Sequence, residues 1–204
     1  MGLLVFDSGL GGLTVLSEIR KVRPDLAVTY LADDAVFPYG RLSEADLVAR
    51  VLDVVVPLAE QRRPQAVVIA CNTASTLVLP PLRARLAMPV IGTVPAIKPA
   101  AETSRSKQIA VLATPGTVAR DYTRDLIERF AANCRVTLVG APKLAELAEA
   151  ALHGEPIPDA AIAQEIAGCF VEVAGRRTDT VVLACTHYPL LRARLERLAR
   201  WPVT

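Results

Sequence analysis

The sequence predicts an α/β fold of two pseudo-symmetric lobes, each a parallel sheet flanked by helices, with the active site in the cleft between them. Three observations carry this expectation. Short runs rich in Val, Ile and Leu alternate with longer segments of helical period, the pattern of βα units around a buried parallel sheet. Two of those runs are versions of one another: residues 66–73 (AVVIACNT) and 180–187 (TVVLACTH) align without a gap, bringing Cys71 over Cys185, 114 residues further on. A strand-to-helix turn repeats as well, as Asp7-Ser8-Gly9-Leu10-Gly11-Gly12 in the first half and Thr114-Pro115-Gly116-Thr117 in the second. A Pro/Ala/Ser-rich stretch at 95–107 separates the copies, so the lobes are expected at 1–94 and 95–204.

Taken in order, strands are expected at 3–6, 28–31, 66–70, 90–94, 108–113, 135–139 and 180–184, where apolar runs of strand length end in turn residues. Helices fill the gaps. Ser43 reads as an N-cap with Asp46 three residues on, and Leu47, Val51, Val54 and Leu58 then mark one apolar face. Thr117 is expected to cap a second helix running through Val118, Tyr122, Leu126 and Phe130, and Ile162, Ile166, Phe170 and Val173 to stripe a third. Gly154 is expected to stop a helix over 143–152, leaving His153 exposed at its end. Arg83, Arg85, Arg192 and Arg194 follow helical spacing and read as solvated faces.

Composition narrows the function classes. Of 204 residues 52% are hydrophobic, which is globular rather than disordered, while 4% aromatic content leaves no surface of stacked rings for bases. A net charge of +2 supplies no field for a phosphate backbone, so nucleic acid is not the expected partner. No apolar run approaches the roughly 18 residues of a bilayer span, and no signal peptide is visible, so a cytoplasmic protein without membrane attachment is expected. Four cysteines without CxxC spacing and two histidines do not make a metal site; reduced thiols are the better reading.

The candidate chemistry lies at strand ends, where ligands of α/β sheets gather. Cys71 is followed by Asn72 and Thr73, Cys185 by Thr186 and His187, and such polar neighbours have little reason to sit in a core. Two equivalent thiols facing across a cleft suit chemistry that needs two like groups on opposite faces of one substrate. The alternative is that both are small buried hydrophobes, as Cys134 and Cys169 are read to be. An ordinary thiol is only a few per cent thiolate at neutral pH, so a catalytic one needs help. Asp7 reads as such a helper or as a helix N-cap. Asp33 and Asp34 precede the turn Phe37-Pro38-Tyr39-Gly40, whose N–H groups could hold a carboxylate, and Glu149 reads from its helix as a solvated residue.

Together, Asp7-Ser8-Gly9, Pro38-Tyr39-Gly40, Ala70-Cys71-Asn72-Thr73-Ala74-Ser75, Thr114 with Thr117, and Cys185-Thr186-His187-Tyr188-Pro189 closely resemble the glutamate racemase family, in order and over the whole chain. Val94 to Ala100 and the stretch from Leu147 to Glu155 are similar to its proteobacterial branch. The resemblance implies cofactor-independent, two-base interconversion of L- and D-glutamate, supplying D-glutamate for peptidoglycan, with no cofactor and no metal. It implies that Cys71 takes the α-proton of D-glutamate and Cys185 that of L-glutamate, that Asp7 and His187 assist them, and that Asp33 and Glu149 support catalysis. Ser8, Pro38, Tyr39, Gly40, Asn72, Thr73, Thr114, Thr117 and Thr186 fall on positions that hold the substrate. Homodimer formation stays open. Three departures stand out: relatives usually continue for several dozen residues past the second motif and return to the first lobe, Asp34 stands where Thr or Asn is common, and Ala184 replaces a frequent glycine. An aspartate racemase of the same superfamily, or a catalytically weak homologue acting through a partner protein, are the competing readings.

Overall fold

A computed structural model describes residues 2–204, and the chain divides into two compact units, Met1–Val94 and Pro95–Thr204. The first unit runs β1 (Gly2–Asp7), α1 (Leu13–Val22), β2 (Ala27–Ala32), α2 (Glu44–Arg62), β3 (Ala66–Ile69), α3 (Asn72–Ser75), α4 (Leu79–Arg85) and β4 (Val90–Gly92). Its four strands are all parallel, in the order β2-β1-β3-β4. The second unit runs α5 (Ile97–Thr103), β5 (Gln108–Ala113), α6 (Pro115–Ala119), α7 (Asp121–Phe130), β6 (Arg135–Gly140), α8 (Leu144–Leu152), α9 (Asp159–Ile166), β7 (Glu172–Val173), β8 (Arg176–Arg177), β9 (Thr180–Ala184) and α10 (Arg192–Leu198). Here the parallel order is β6-β5-β9, with β7 and β8 forming a separate antiparallel ribbon.

The two sheets repeat one plan, which is what the sequence copies encode. In each unit the strand that leads to the motif cysteine, β3 or β9, lies beside the unit's first strand in register. On the outer side of β3 sits β4; on the outer side of β9 the backbone of Thr204 accepts from Val181 N–H at 2.8 Å and donates to Asp179 at 2.9 Å.

Side-chain alternation explains why both faces of the first sheet need helices. Leu4, Phe6, Val67 and Ile69 point into one core with Leu47, Val51, Val55 and Ala59 of α2, whereas Val5 and Val68 meet Val15 and Ile19 of α1 on the other. Fully burying side chains of this size contributes about 1.5–3 kcal/mol each before conformational entropy is set against it. In the second unit Ile109, Val111, Ala113, Val182 and Ala184 pack on Ile97, Ala100 and Ala101 of α5, with Leu126 and Ile127 of α7 beside them.

The α/β class, the parallel sheets and all seven expected strands are found, and Ser43 caps α2 by accepting from Asp46 N–H. His153 is exposed at the end of α8, with Gly154 at φ +79° directly after it. Four local expectations are corrected. The apolar stripe of α2 centres on Leu47, Val51, Val55 and Ala59, so Val54 and Leu58 lie at its margin. Thr117 does not cap a long helix: Thr114 caps the short α6, and α7 starts separately after Arg120, whose extended backbone breaks the run. The third stripe ends at Ile166, and Phe170 and Val173 belong to the chain entering the β7–β8 ribbon, which closes through Ala174 and Gly175, both at positive φ. Of the arginines, Arg83 donates to the Val90 carbonyl on β4 and Arg194 pairs with Asp159, so neither is merely solvated.

Candidate active site

In the first unit, β1 and β3 are neighbours, so their carboxyl ends deliver Asp7-Ser8 and Cys71 side by side. Asp7 is fully buried and accepts from Gly12 N–H at 2.8 Å. The turn that follows Asp7 is tight at its end: a Cβ on Gly12 would lie 2.6 Å from Asp7 Cβ and 2.7 Å from the Tyr30 hydroxyl. That hydroxyl is itself fixed by donating to the Gly9 carbonyl at 2.7 Å.

Cys71 caps the single turn of α3, its sulfur accepting from Ala74 N–H at 3.4 Å and lying 3.7 Å from Ser8 Oγ. Burial pushes its thiol up to about 12, the Asp7 charge adds to this, and the Ala74 N–H and Ser8 hydroxyl pull the other way. Without a ligand, then, Cys71 is a protonated thiol. Ser75 Oγ donates to the Ile69 carbonyl at 3.0 Å and Thr93 Oγ1 to that of Ala70 at 2.6 Å, so the backbone leading into the cysteine is held from two sides.

Asp33 follows β2, and its N–H donates to the Asp7 carbonyl at 3.0 Å. Both of its carboxylate oxygens are engaged. Arg50 on α2 donates Nε to Oδ2 at 2.8 Å and Nη2 to Oδ1 at 2.5 Å, and the Tyr39 hydroxyl donates to Oδ2 at 2.5 Å. The Arg50 guanidinium holds the Asp33 carboxyl below its usual range against the opposing effect of burial. Tyr39 is buried against Phe6, ring centroids 6.1 Å apart, in the same core cluster as Cys71; burial and the Asp33 charge push its phenol far up. Pro38 is buried beside it, while Gly40 and Asn72 are half-buried and Thr73 is buried.

In the second unit, Cys185 follows β9 and is 8% exposed. His187, buried at 1%, places Nδ1 4.0 Å from the Cys185 sulfur and 3.4 Å from Thr186 Oγ1, and Nε2 2.5 Å from Glu149 Oε2 on α8. Burial lowers the imidazole below its ordinary value, opposed by the Glu149 carboxylate, so His187 is neutral. A carboxylate at Nε2 fixes the tautomer: Nε2–H donates to Glu149, and the Nδ1 lone pair faces the thiol. This is the thiol–imidazole–carboxylate order that activates cysteine nucleophiles and bases. Glu149 is therefore joined to His187 and is not a solvated face residue. Thr114 and Thr117 are buried with hydroxyls 3.1 Å apart, and Thr123 Oγ1 donates to the Thr117 carbonyl at 2.7 Å.

Ser8, Asp7, Cys71 and Thr73 thus form one buried polar cluster at the strand ends of the first unit, with Asp33 and Tyr39 beside it. Cys185, Thr186, His187 and Glu149 form another in the second. Cys134 bonds to the Ala101 carbonyl and to Asn133, and Cys169 is buried with its thiol pushed up to about 12 by desolvation, as packing residues would be. Sequence reasoning missed Tyr30 and Arg50. Arg50 had a signal, since it stands between Leu47 and Val51 at the margin of the α2 stripe, where a long cation can reach back over the sheet. Among the described residues no His, Cys, Asp or Glu side chains gather as a metal ligand set, and no helix is long and apolar enough to cross a membrane.

Parallel α/β units with a polar-flanked thiol at each motif strand define the class, and the chain belongs to the Asp/Glu/Hydantoin racemase family, which it matches over residues 15–204. Over 202 residues it is 57% identical to the glutamate racemase of Brucella canis, covering 98% of this chain and 73% of that protein. The crystal structure of Escherichia coli glutamate racemase with L-glutamate and the activator UDP-MurNAc-Ala superposes with a TM-score of 0.92 at 44% identity, covering 100% of this chain and 76% of that one. A glutamate racemase isoform from Bacillus anthracis gives 0.83 at 30% identity, covering 99% and 75%. The resemblance read from the motifs is borne out.

Proposed function

We propose that this chain interconverts L- and D-glutamate in the cytoplasm by two-thiol proton transfer at the α-carbon, without cofactor or metal, and so supplies D-glutamate for peptidoglycan. The observation that carries the reading is the pairing of Cys71 with Asp7 and of Cys185 with the His187–Glu149 pair, two acid–base groups of matched type on two matched strands. Its support from relatives is the high identity to glutamate racemases.

The chemistry follows from the protonation states. Cys71 rests as a thiol and is ready to donate; to accept a proton it must first lose its own, with Asp7 as the adjoining carboxylate. A substrate ammonium near the sulfur favours the thiolate, offsetting what burial and Asp7 disfavour. Cys185 passes its proton to neutral His187, whose imidazolium Glu149 stabilises. In the D-to-L direction Cys71 removes the α-proton and Cys185 returns one to the opposite face of the planar intermediate; in the L-to-D direction the roles exchange. Ser8, Asn72, Thr73, Thr114, Thr117, Thr186 and the Pro38–Gly40 turn supply hydroxyl, amide and backbone donors for the two carboxylates and acceptors for the ammonium. Asp33 acts through its partners, since both its oxygens are engaged. A chiral assay on the purified chain with L- and D-glutamate, and with aspartate as the competing substrate, tests this: equal preference for aspartate, or no turnover of either, would overturn it.

A further inference from the structure

Arg50 is a cation drawn into the polar cluster of the first unit by way of Asp33. Its side chain is 37% exposed, whereas that of Asp33 is 4% exposed, so a nearly dry carboxylate depends on one guanidinium at the protein surface. The contact is a two-point fork, which fixes the plane of the carboxylate as well as its charge. Oδ2 is shared between Arg50 Nε and the Tyr39 hydroxyl, so the carboxylate plane in turn sets where the phenol points. Tyr39 opens the 3-10 turn Tyr39–Arg41 that follows Pro38, and Asp33 is also tied by its own N–H to the backbone of Asp7. The other end of the chain of contacts is rigid: Arg50 rides on the 19-residue α2, between Leu47 and Val51, both fully buried.

We propose that Arg50 is a positioning residue for substrate binding: through Asp33 it holds Tyr39, and with Tyr39 the 38–40 turn that receives a substrate carboxylate. This rests on the glutamate reading for the identity of the ligand. Removing the guanidinium leaves Asp33 buried beside Tyr39 with no counter-cation, so the carboxyl either takes up a proton or turns toward water, and the turn loses its anchor. The reacting thiols and His187 are untouched, so binding falls more than the rate of the bound complex.

The test uses the full chain with Arg50→Ala, Arg50→Lys and, as control, Arg194→Ala, which removes an arginine from an Arg–Asp contact outside the site, where Asp159 keeps Arg197 as a partner. KM and kcat are measured with glutamate, and Kd for D-glutamate by calorimetry in a Cys185→Ala background, where no turnover is needed. Arg50→Ala is expected to raise KM and Kd about tenfold with kcat within about threefold of wild type. Arg50→Lys, which keeps the charge without the fork, should fall between, and it stands in should the alanine variant fail to fold. Arg194→Ala should leave KM and Kd unchanged. Unchanged KM and Kd in both Arg50 variants, or equal rises in the control, would overturn the proposal while leaving the racemase reading intact. A wild-type chain that neither turns over nor binds glutamate would sink both.

Discussion

Adding a single methyl at Gly12 probes the Asp7 turn most sharply. Gly12 has φ −62°, a conformation any residue accepts, so the whole cost of Gly12→Ala is steric. The new Cβ would meet Asp7 Cβ at 2.6 Å, the Tyr30 hydroxyl at 2.7 Å and Asp7 Cγ at 3.0 Å. Restoring ordinary contact needs a displacement of about 1 Å, and neither neighbour is free to yield, Asp7 being fully buried and Tyr30 tied to Gly9. Overpacking of this kind costs about 1–3 kcal/mol. At about 2–4 °C per kcal/mol for a chain of this size, the melting temperature should fall by roughly 2–12 °C. A misplacement of about 1 Å in an acid–base group costs up to about 100-fold in rate, so kcat should drop by about 10- to 100-fold. Tyr30→Phe in the same background removes one of the contacts and should recover part of the melting temperature without recovering kcat, because the clash with Asp7 persists. Differential scanning fluorimetry and the chiral assay read both quantities. A Gly12→Ala chain that melts and turns over like wild type would show that Asp7 is not held where its action on Cys71 requires.

Other outcomes follow from the same geometry. Cys71→Ala and Cys185→Ala should each lower racemisation by more than about 1,000-fold, whereas Cys134→Ala should leave it intact and Cys169→Ala should cost about 1 kcal/mol of stability with little change in rate. Because burial depresses His187, its neutral form persists below the ordinary value near 6.5, and activity should be lost only as pH falls toward the folded-state value. Glu149→Gln removes the group that raises His187, so the acid limb of the rate profile should move to lower pH as the maximum falls; a shift the other way would refute the assigned direction. The same depressed value means that the unfolded chain binds the proton more tightly, so His187's contribution to stability is present above about pH 6.5 and is lost as pH falls toward the folded-state value. Melting curves of wild type and His187→Asn across that window check the sign.

The parts of this molecule that local patterning controls were legible in the sequence. Buried parallel strands must be apolar on both faces, so 66–70, 108–113 and 180–184 stood out without any partner being known, and the repeated cysteine motif marked the two strand ends that matter. What escaped was set by tertiary contact. The breaking of the expected helix at Arg120 depends on the Thr114 cap and on Thr123 reaching back to the Thr117 carbonyl, neither of which has a periodic signature. Ile162, Ile166, Phe170 and Val173 have helical spacing, yet the chain leaves the helix for a ribbon closed by Gln108 Nε2 donating to the Val173 and Arg176 carbonyls. Within the site, the motif residues came from the resemblance, but the engagement of Asp33 by Arg50 and of Glu149 by His187 joins residues 17 and 38 positions apart, and only folding brings them together.

Two distinct acid–base groups acting on opposite faces of one α-carbon leave a signature in solvent isotope incorporation. The purified chain is incubated with L-glutamate in D2O containing a chelator, and product and remaining substrate are separated and analysed by mass spectrometry over the first few per cent of conversion. D-Glutamate should carry one α-deuterium from the first turnovers, while the recovered L-glutamate stays largely α-protiated, because the proton removed goes to one group and the deuteron arrives from the other. D-Glutamate that keeps its original proton, or no D-glutamate at all, would contradict it.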